Sequence, residues 1–159
     1  MDSKEKSLEG IGGWLILVAI GIVITPFRTI IAMIETYPDI FLNGAWELLT
    51  TQGSEVYNPL WGPIIIGEIL INSVMILAWL YMAYLFFSKK SSFPKWYIGL
   101  AIFSLLFILA DAFTVKLVLP NEPAFDPDTI KEVMRSLIMV VIWIPYMLLS
   151  ERVKVTFIK

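Results

Sequence analysis

Four apolar runs, each near the length that crosses a bilayer, constrain this chain more than anything else in it. They read WLILVAIGIVITPFRTIIAMI from Trp14 to Ile34, IIIGEILINSVMILAWLYMAYLFF from Ile64 to Phe87, WYIGLAIFSLLFILADAFTV from Trp96 to Val115, and VMRSLIMVVIWIPYMLL from Val133 to Leu149. About 20 mostly apolar residues carry a helix across the hydrocarbon core. The fourth run is short alone. It lengthens at its start, because Asp126-Pro127-Asp128 reads as an N-cap followed by proline at the first helical position. The chain therefore predicts an all-α membrane protein: one domain of 159 residues folded as a four-helix transmembrane bundle. Its spans are expected at about residues 13–34, 63–87, 95–118 and 130–150.

Composition supports lipid as the solvent. Hydrophobic residues make up 58% of the chain and charged residues 16%, and the mean hydropathy is +0.78. An ordinary soluble domain carries about 25% charge and about 45–50% apolar residues. A soluble fold of this size could not bury the excess. The net charge of −2 comes without a basic tract, which leaves a nucleic acid nothing to bind. The chain has no cysteine and no histidine. Disulfides and thiolate metal sites are excluded, as are the commonest general base and the commonest transition-metal ligand. No cofactor is implied, and an enzyme is not expected.

The first run is read as a retained helix rather than a cleaved signal peptide. Its apolar stretch is too long for one, and Pro26 and Arg28 interrupt it. Orientation follows from the basic residues. Lys4 and Lys6 precede the first span, Lys89, Lys90 and Lys95 lie between the second and third, and Arg152, Lys154 and Lys159 follow the fourth. Residues 35–63 carry no Lys or Arg but have Glu35, Asp39, Glu47 and Glu55. The loop before the fourth span has Glu122, Asp126 and Asp128 against Lys131 alone. Both termini are expected in the cytoplasm (N-in, C-in). Within the first outer loop, Ile40, Phe41, Ala45, Trp46, Leu48 and Leu49 recur at helical spacing. They predict a short amphipathic helix on the outer interface.

Each of the four apolar runs carries one ionisable residue in its outer half: Arg28, Glu68, Asp111 and Arg135. A charge at the bilayer centre costs at least ~2.5–3.5 kcal/mol, so it normally faces a partner or a wet cavity. At 1.5 Å per residue, Arg28 would lie roughly 9 Å below the outer end of its span, and the other three at similar depth. Asn72 lies one turn from Glu68, with Thr25 and Thr114 similarly close to Arg28 and Asp111. Three readings compete. The charges form a structural lock; or Arg28, Glu68, Asn72, Asp111 and Arg135 line a binding or translocation site for a small anionic solute; or the chain is an accessory subunit whose charges meet a partner's helix. Beyond the lipid bilayer, the candidate partners are thus a small-molecule ligand, a second copy of the chain or another membrane protein. Pro26 and Pro145 can kink their helices, and no clean GxxxG marks a dimer face.

Two stretches carry a family resemblance. Near the start, Gly10 to Leu17 reads GIGGWLIL. Near the end, IWIPYMLLSERVKVTFIK holds Trp143, Pro145, Tyr146, Ser150, Arg152, Val153, Lys154, Thr156 and Phe157. Together they resemble the family catalogued as domain of unknown function 2569. The resemblance covers essentially the whole chain, and the carboxy-terminal motif is the more specific part. It implies a compact four-span unit in a bacterial inner membrane and brings no activity with it. The tail motif maps onto Ser150, Arg152, Lys154, Thr156 and Phe157 at the expected cytoplasmic edge. Arg152 and Lys154 could hold anionic headgroups there, and the alternation of Val153, Val155 and Phe157 predicts a short extended segment.

Overall fold

Backbone N–H and C=O groups find no partner in lipid, so apolar runs of this length satisfy themselves as helices. A computed structural model describes residues 8–159, and among them there is no strand. Lys4 and Lys6, used above for orientation, lie outside the described residues. Four helices are long and apolar enough to cross a membrane: Trp14–Leu42, Trp61–Phe87, Phe93–Val118 and Pro127–Leu149.

The first long helix, α1 (Trp14–Leu42), runs well past the expected boundary near residue 34. Its apolar pattern ends at Ile34, yet Pro38 lies inside the helix as Pro26 does. The helix stops only where Asn43 turns and Gly44 adopts a left-handed backbone, φ +76°. The pattern read as one amphipathic element is accordingly divided. Ile40 and Phe41 end α1, and a separate six-residue helix, α2 (Ala45–Thr50), follows the break. Phe41 and Trp46 pack across it with ring centroids 5.1 Å apart. Asn58 then shapes the approach to α3 (Trp61–Phe87), its side chain accepting from the Leu60 N–H at 3.0 Å.

The third long helix is α4 (Phe93–Val118). The fourth is continuous but composite: α5 (Pro127–Ile138), a five-residue π segment at Met139–Trp143, and α6 (Ile144–Leu149). Asp126 is the N-cap of α5, its carboxylate accepting from the Thr129 N–H at 2.7 Å. That backbone hydrogen bond holds the Asp126 carboxyl below the usual carboxylate range. The π segment ends two residues before Pro145, which has no N–H to give the preceding turn. Widening the helix by one residue accommodates the ring.

The tail differs from its expectation. Residues 151–156 form a helix, α7 (Glu151–Thr156), rather than an extended segment. Ser150 caps it, accepting from the Val153 N–H at 3.4 Å. Val153 and Thr156, three residues apart, point inward together. A period of two and a period of three and a half are hard to separate over so few residues, and the cap decides the outcome.

Burial is uneven along the bundle. The core cluster is built from Leu15, Val18 and Ile22 of α1, Trp79, Met82, Leu85 and Phe86 of α3, and Phe93, Tyr97 and Leu100 of α4, closed by Met147, Val153 and Phe157. All lie at the end where the chain termini meet, called here the terminal end. Towards the far end burial is sparse, as at Ile65, Ala112 and Ser136. At the terminal end the described amino-terminal segment and the tail are tied by polar contacts. The Gly10 N–H donates to Thr156 Oγ1 at 3.1 Å, and that hydroxyl donates to the Gly10 carbonyl at 3.2 Å. Arg152 Nη1 donates to the Leu8 carbonyl at 3.1 Å. Gly12 leaves room for this guanidinium, since a Cβ there would stand 2.9 Å from Nη1. The turn between α3 and α4 joins the same end through Ser91 N–H to Lys159 O at 2.8 Å and Lys159 N–H to Lys89 O at 3.2 Å.

Candidate functional site

Where the core ends, a cleft begins. It has a volume of about 640 Å³ and is lined by all four long helices. Their order around it follows from packing: α1 rests on α3, α3 on α4, and α4 on α5. The remaining side, between α1 and the fourth helix, is bridged at the terminal end by Trp14 against Trp143, 6.0 Å apart and edge to face. Above that bridge the cleft reaches the protein surface. Leu17 on one lip is 53% exposed and Ile138 on the other is 52% exposed, and both line it.

The five candidate ligand-binding residues all border this cleft: Arg28, Glu68, Asn72, Asp111 and Arg135. Their arrangement is segregated by charge. Arg28 on α1 and Arg135 on α5 occupy the two helices that flank the mouth, and both are exposed. Glu68 on α3 and Asp111 on α4 occupy the back wall and are half-buried, within hydrogen-bond reach of one another. Asn72 Nδ2 contacts Tyr37 Oη at 3.4 Å, and Tyr37 Oη contacts Glu68 Oε2 at 3.4 Å. Both are long for hydrogen bonds. Among the described residues the one ion pair is the exposed Lys131–Asp128 contact at 2.7 Å. No arginine of the cleft comes within 4.0 Å of a carboxylate oxygen of the described residues.

The depths are less uniform than the sequence implied. Glu68, Asp111 and Arg135 lie roughly 10–12 Å from the far ends of their helices. Because α1 continues to Leu42, Arg28 lies roughly 21 Å from its far end. Its side chain nonetheless lines the same space. Of the flanking polar residues, Thr25 and Ser136 border the cleft, the Thr25 hydroxyl being spent on the Gly21 carbonyl at 2.7 Å. Thr114 does not border it and donates to Ala110 O at 2.8 Å.

Sequence reasoning missed Tyr37, Glu132, Trp79, Tyr97 and Trp143, all of which line the cleft. Glu132 lies three residues before Arg135, a spacing that places both on one face. Tyr37 reads as an interfacial aromatic, and only the unforeseen length of α1 turns it inward. The tail residues stand apart from the cleft. Ser150 is a cap, Arg152 and Thr156 hold the amino-terminal segment, and Phe157 packs on Phe93 at 4.5 Å. Lys154 is exposed.

Four apolar helices that each suffice to span a bilayer, joined by short polar segments, define a multi-pass membrane protein. Within that class the chain belongs to the family described as "Protein of unknown function (DUF2569)", whose model matches residues 8–158. No curated protein and no solved structure matches it. The two stretches that carried the resemblance are the two that bond to each other at the terminal end.

Proposed function

We propose that this protein sits in the bacterial inner membrane with both termini in the cytoplasm and binds a small anionic solute in the cleft, as part of its uptake or translocation. The role is non-enzymatic, in keeping with a chain that has no histidine and no cysteine. The observation that carries the reading is that Arg28 and Arg135 flank a cleft of about 640 Å³ while neither pairs with Glu68 or Asp111. A folding lock would need those charges matched, since an unmatched charge within the membrane is costly. Two guanidiniums, neither within 4.0 Å of a carboxylate oxygen although Glu132 shares a face with Arg135, each present a planar fork of donors that suits a carboxylate or phosphate.

Titration of the purified protein in nanodiscs with inorganic phosphate tests this. Arg28→Gln and Arg135→Gln are each expected to weaken binding at least tenfold while the unfolding midpoint changes little. Glu68→Gln is expected to leave the fold intact and alter affinity. Unfolding of the Glu68→Gln protein in detergent, with phosphate binding absent throughout, would favour the lock.

Orientation has its own test, helped by the absence of native cysteine. Gln52→Cys in the loop after α2 is expected to react with a membrane-impermeant maleimide in intact cells. Ser91→Cys, at the exposed turn between α3 and α4, is expected to react only after permeabilisation. The reverse pattern would invert the assignment.

A further inference from the structure

The cleft is too large and too one-sided in its chemistry for a small ion alone. Each water takes about 30 Å³ of the liquid, so the cleft has room for some ~20. It falls within the range of about 300–1,000 Å³ that holds drug-sized ligands. Its charged groups lie from the midpoint of α1, at Arg28, towards the far end. The half towards the terminal end is lined by Leu17, Met75, Met139 and Trp143, over a floor of the core residues Val18, Ile22 and Trp79, none of which carries a charge. Gly21 belongs to this part of the wall, and a Cβ built on it meets nothing within 4 Å. The mouth lies between α1 and the fourth helix along their apolar lengths, so it faces hydrocarbon when the helices span a bilayer.

We infer that the ligand of this cleft is an amphipath with one anionic head, phosphate or carboxylate, and a hydrocarbon chain. The inference rests on the anion-binding reading above and narrows its ligand class. The head lies between Arg28 and Arg135, and the chain lies in the apolar half beside Gly21, Met75 and Trp143. Such a ligand enters sideways from the lipid through the gap between α1 and the fourth helix. It never has to expose its chain to water, and the arginines exchange solvent for a fixed counter-charge. A compact hydrophilic anion would leave the apolar half without an occupant. A neutral hydrocarbon would leave two unpaired guanidiniums in the membrane.

Hexadecyl phosphate carrying a photoactivatable diazirine at mid-chain, in nanodiscs of zwitterionic lipid, tests the placement, with labelled residues mapped by mass spectrometry. Labelling is expected on Met75, Met139 and Trp143, half-buried residues of the cleft, rather than on outward residues such as Leu77 and Leu80. Unlabelled hexadecyl phosphate should displace it, whereas hexadecanol at the same mole fraction should not. Gly21→Trp, which projects an indole into the apolar half, is expected to reduce cleft labelling at least tenfold. Gly21→Leu serves the same purpose with less bulk should the tryptophan variant not fold. Labelling spread over the lipid-facing surface, indifferent to Gly21 variants while phosphate still binds, overturns the amphipath and leaves the anion reading standing. Displacement by hexadecanol as effective as by hexadecyl phosphate also overturns it. Loss of phosphate binding and cleft labelling together, in a folded wild-type protein, overturns both.

Discussion

Replacing Phe93 by alanine is expected to lower stability by about 3–5 kcal/mol, the range for removing a fully buried aromatic ring. Phe93 opens α4 with no exposed surface. Its ring meets Phe86 at 5.0 Å, Phe157 at 4.5 Å and Tyr97 at 5.7 Å. One side chain thus joins the second helix, the third helix and the tail. Lipid cannot refill the gap, because the neighbours would lose their contact partners outright whatever solvent surrounds the bundle. The measurement is the unfolding midpoint in a sodium dodecyl sulfate titration, with Leu106→Ala, 60% exposed, as the comparison. A loss below ~1 kcal/mol for Phe93→Ala would mean that the aromatic cluster is not what holds the terminal end together.

Thr156→Val is the second large effect, expected at about 1–3 kcal/mol. The substitution keeps the branched shape but removes the hydroxyl. Thr156 is 1% exposed, and its oxygen both accepts from and donates to the backbone of Gly10. Without it, two backbone groups beside the packed tail lose their partner, and that desolvation cost exceeds the net worth of an ordinary hydrogen bond. Hydrogen exchange at the Gly10 amide should accelerate in parallel. Thr156→Ser retains the hydroxyl and should restore slow exchange, with a smaller stability loss from the missing methyl. Unchanged exchange in the valine variant would show that the amino-terminal segment is held by Arg152 alone.

Much of the architecture is written in local pattern, and the exceptions have physical causes. The four long helices follow from apolar length, and the start of the fourth from Asp126 and Pro127, because lipid admits few alternatives to a helix. The extra turns of α1 do not follow, since Glu35, Pro38 and Asp39 look like loop residues. Only the positive φ of Gly44 marks the actual stop. The helical tail is decided by the Ser150 cap, a single contact that competes with an alternating pattern. Arg28, Glu68, Asp111 and Arg135 were legible because ionisable groups are rare in spans, whereas Glu132, near the polar start of the fourth helix, was not. The segregation of charge was not legible either. Which helices flank a mouth and which form a back wall is a matter of helix order around the bundle, and periodicity within one helix carries no information about its neighbours. The same holds for the two motif stretches near the chain ends. Each is conspicuous alone, but nothing in either announces that Gly10 bonds to Thr156 or that Gly12 makes space for Arg152.

The confinement of the aromatic core to one end gives the bundle the mechanics of tweezers. The fulcrum is the knot of Phe86, Phe93 and Phe157, with the Trp14–Trp143 contact beside it. From there the fourth long helix, with 23 residues, extends as an arm of about 35 Å. A tilt of only ~5° about the fulcrum carries the tip of such an arm through roughly 3 Å. Leverage of this kind would let a small adjustment where the tail meets the amino-terminal segment change the width of the gap between the two arginine-bearing helices at a distance.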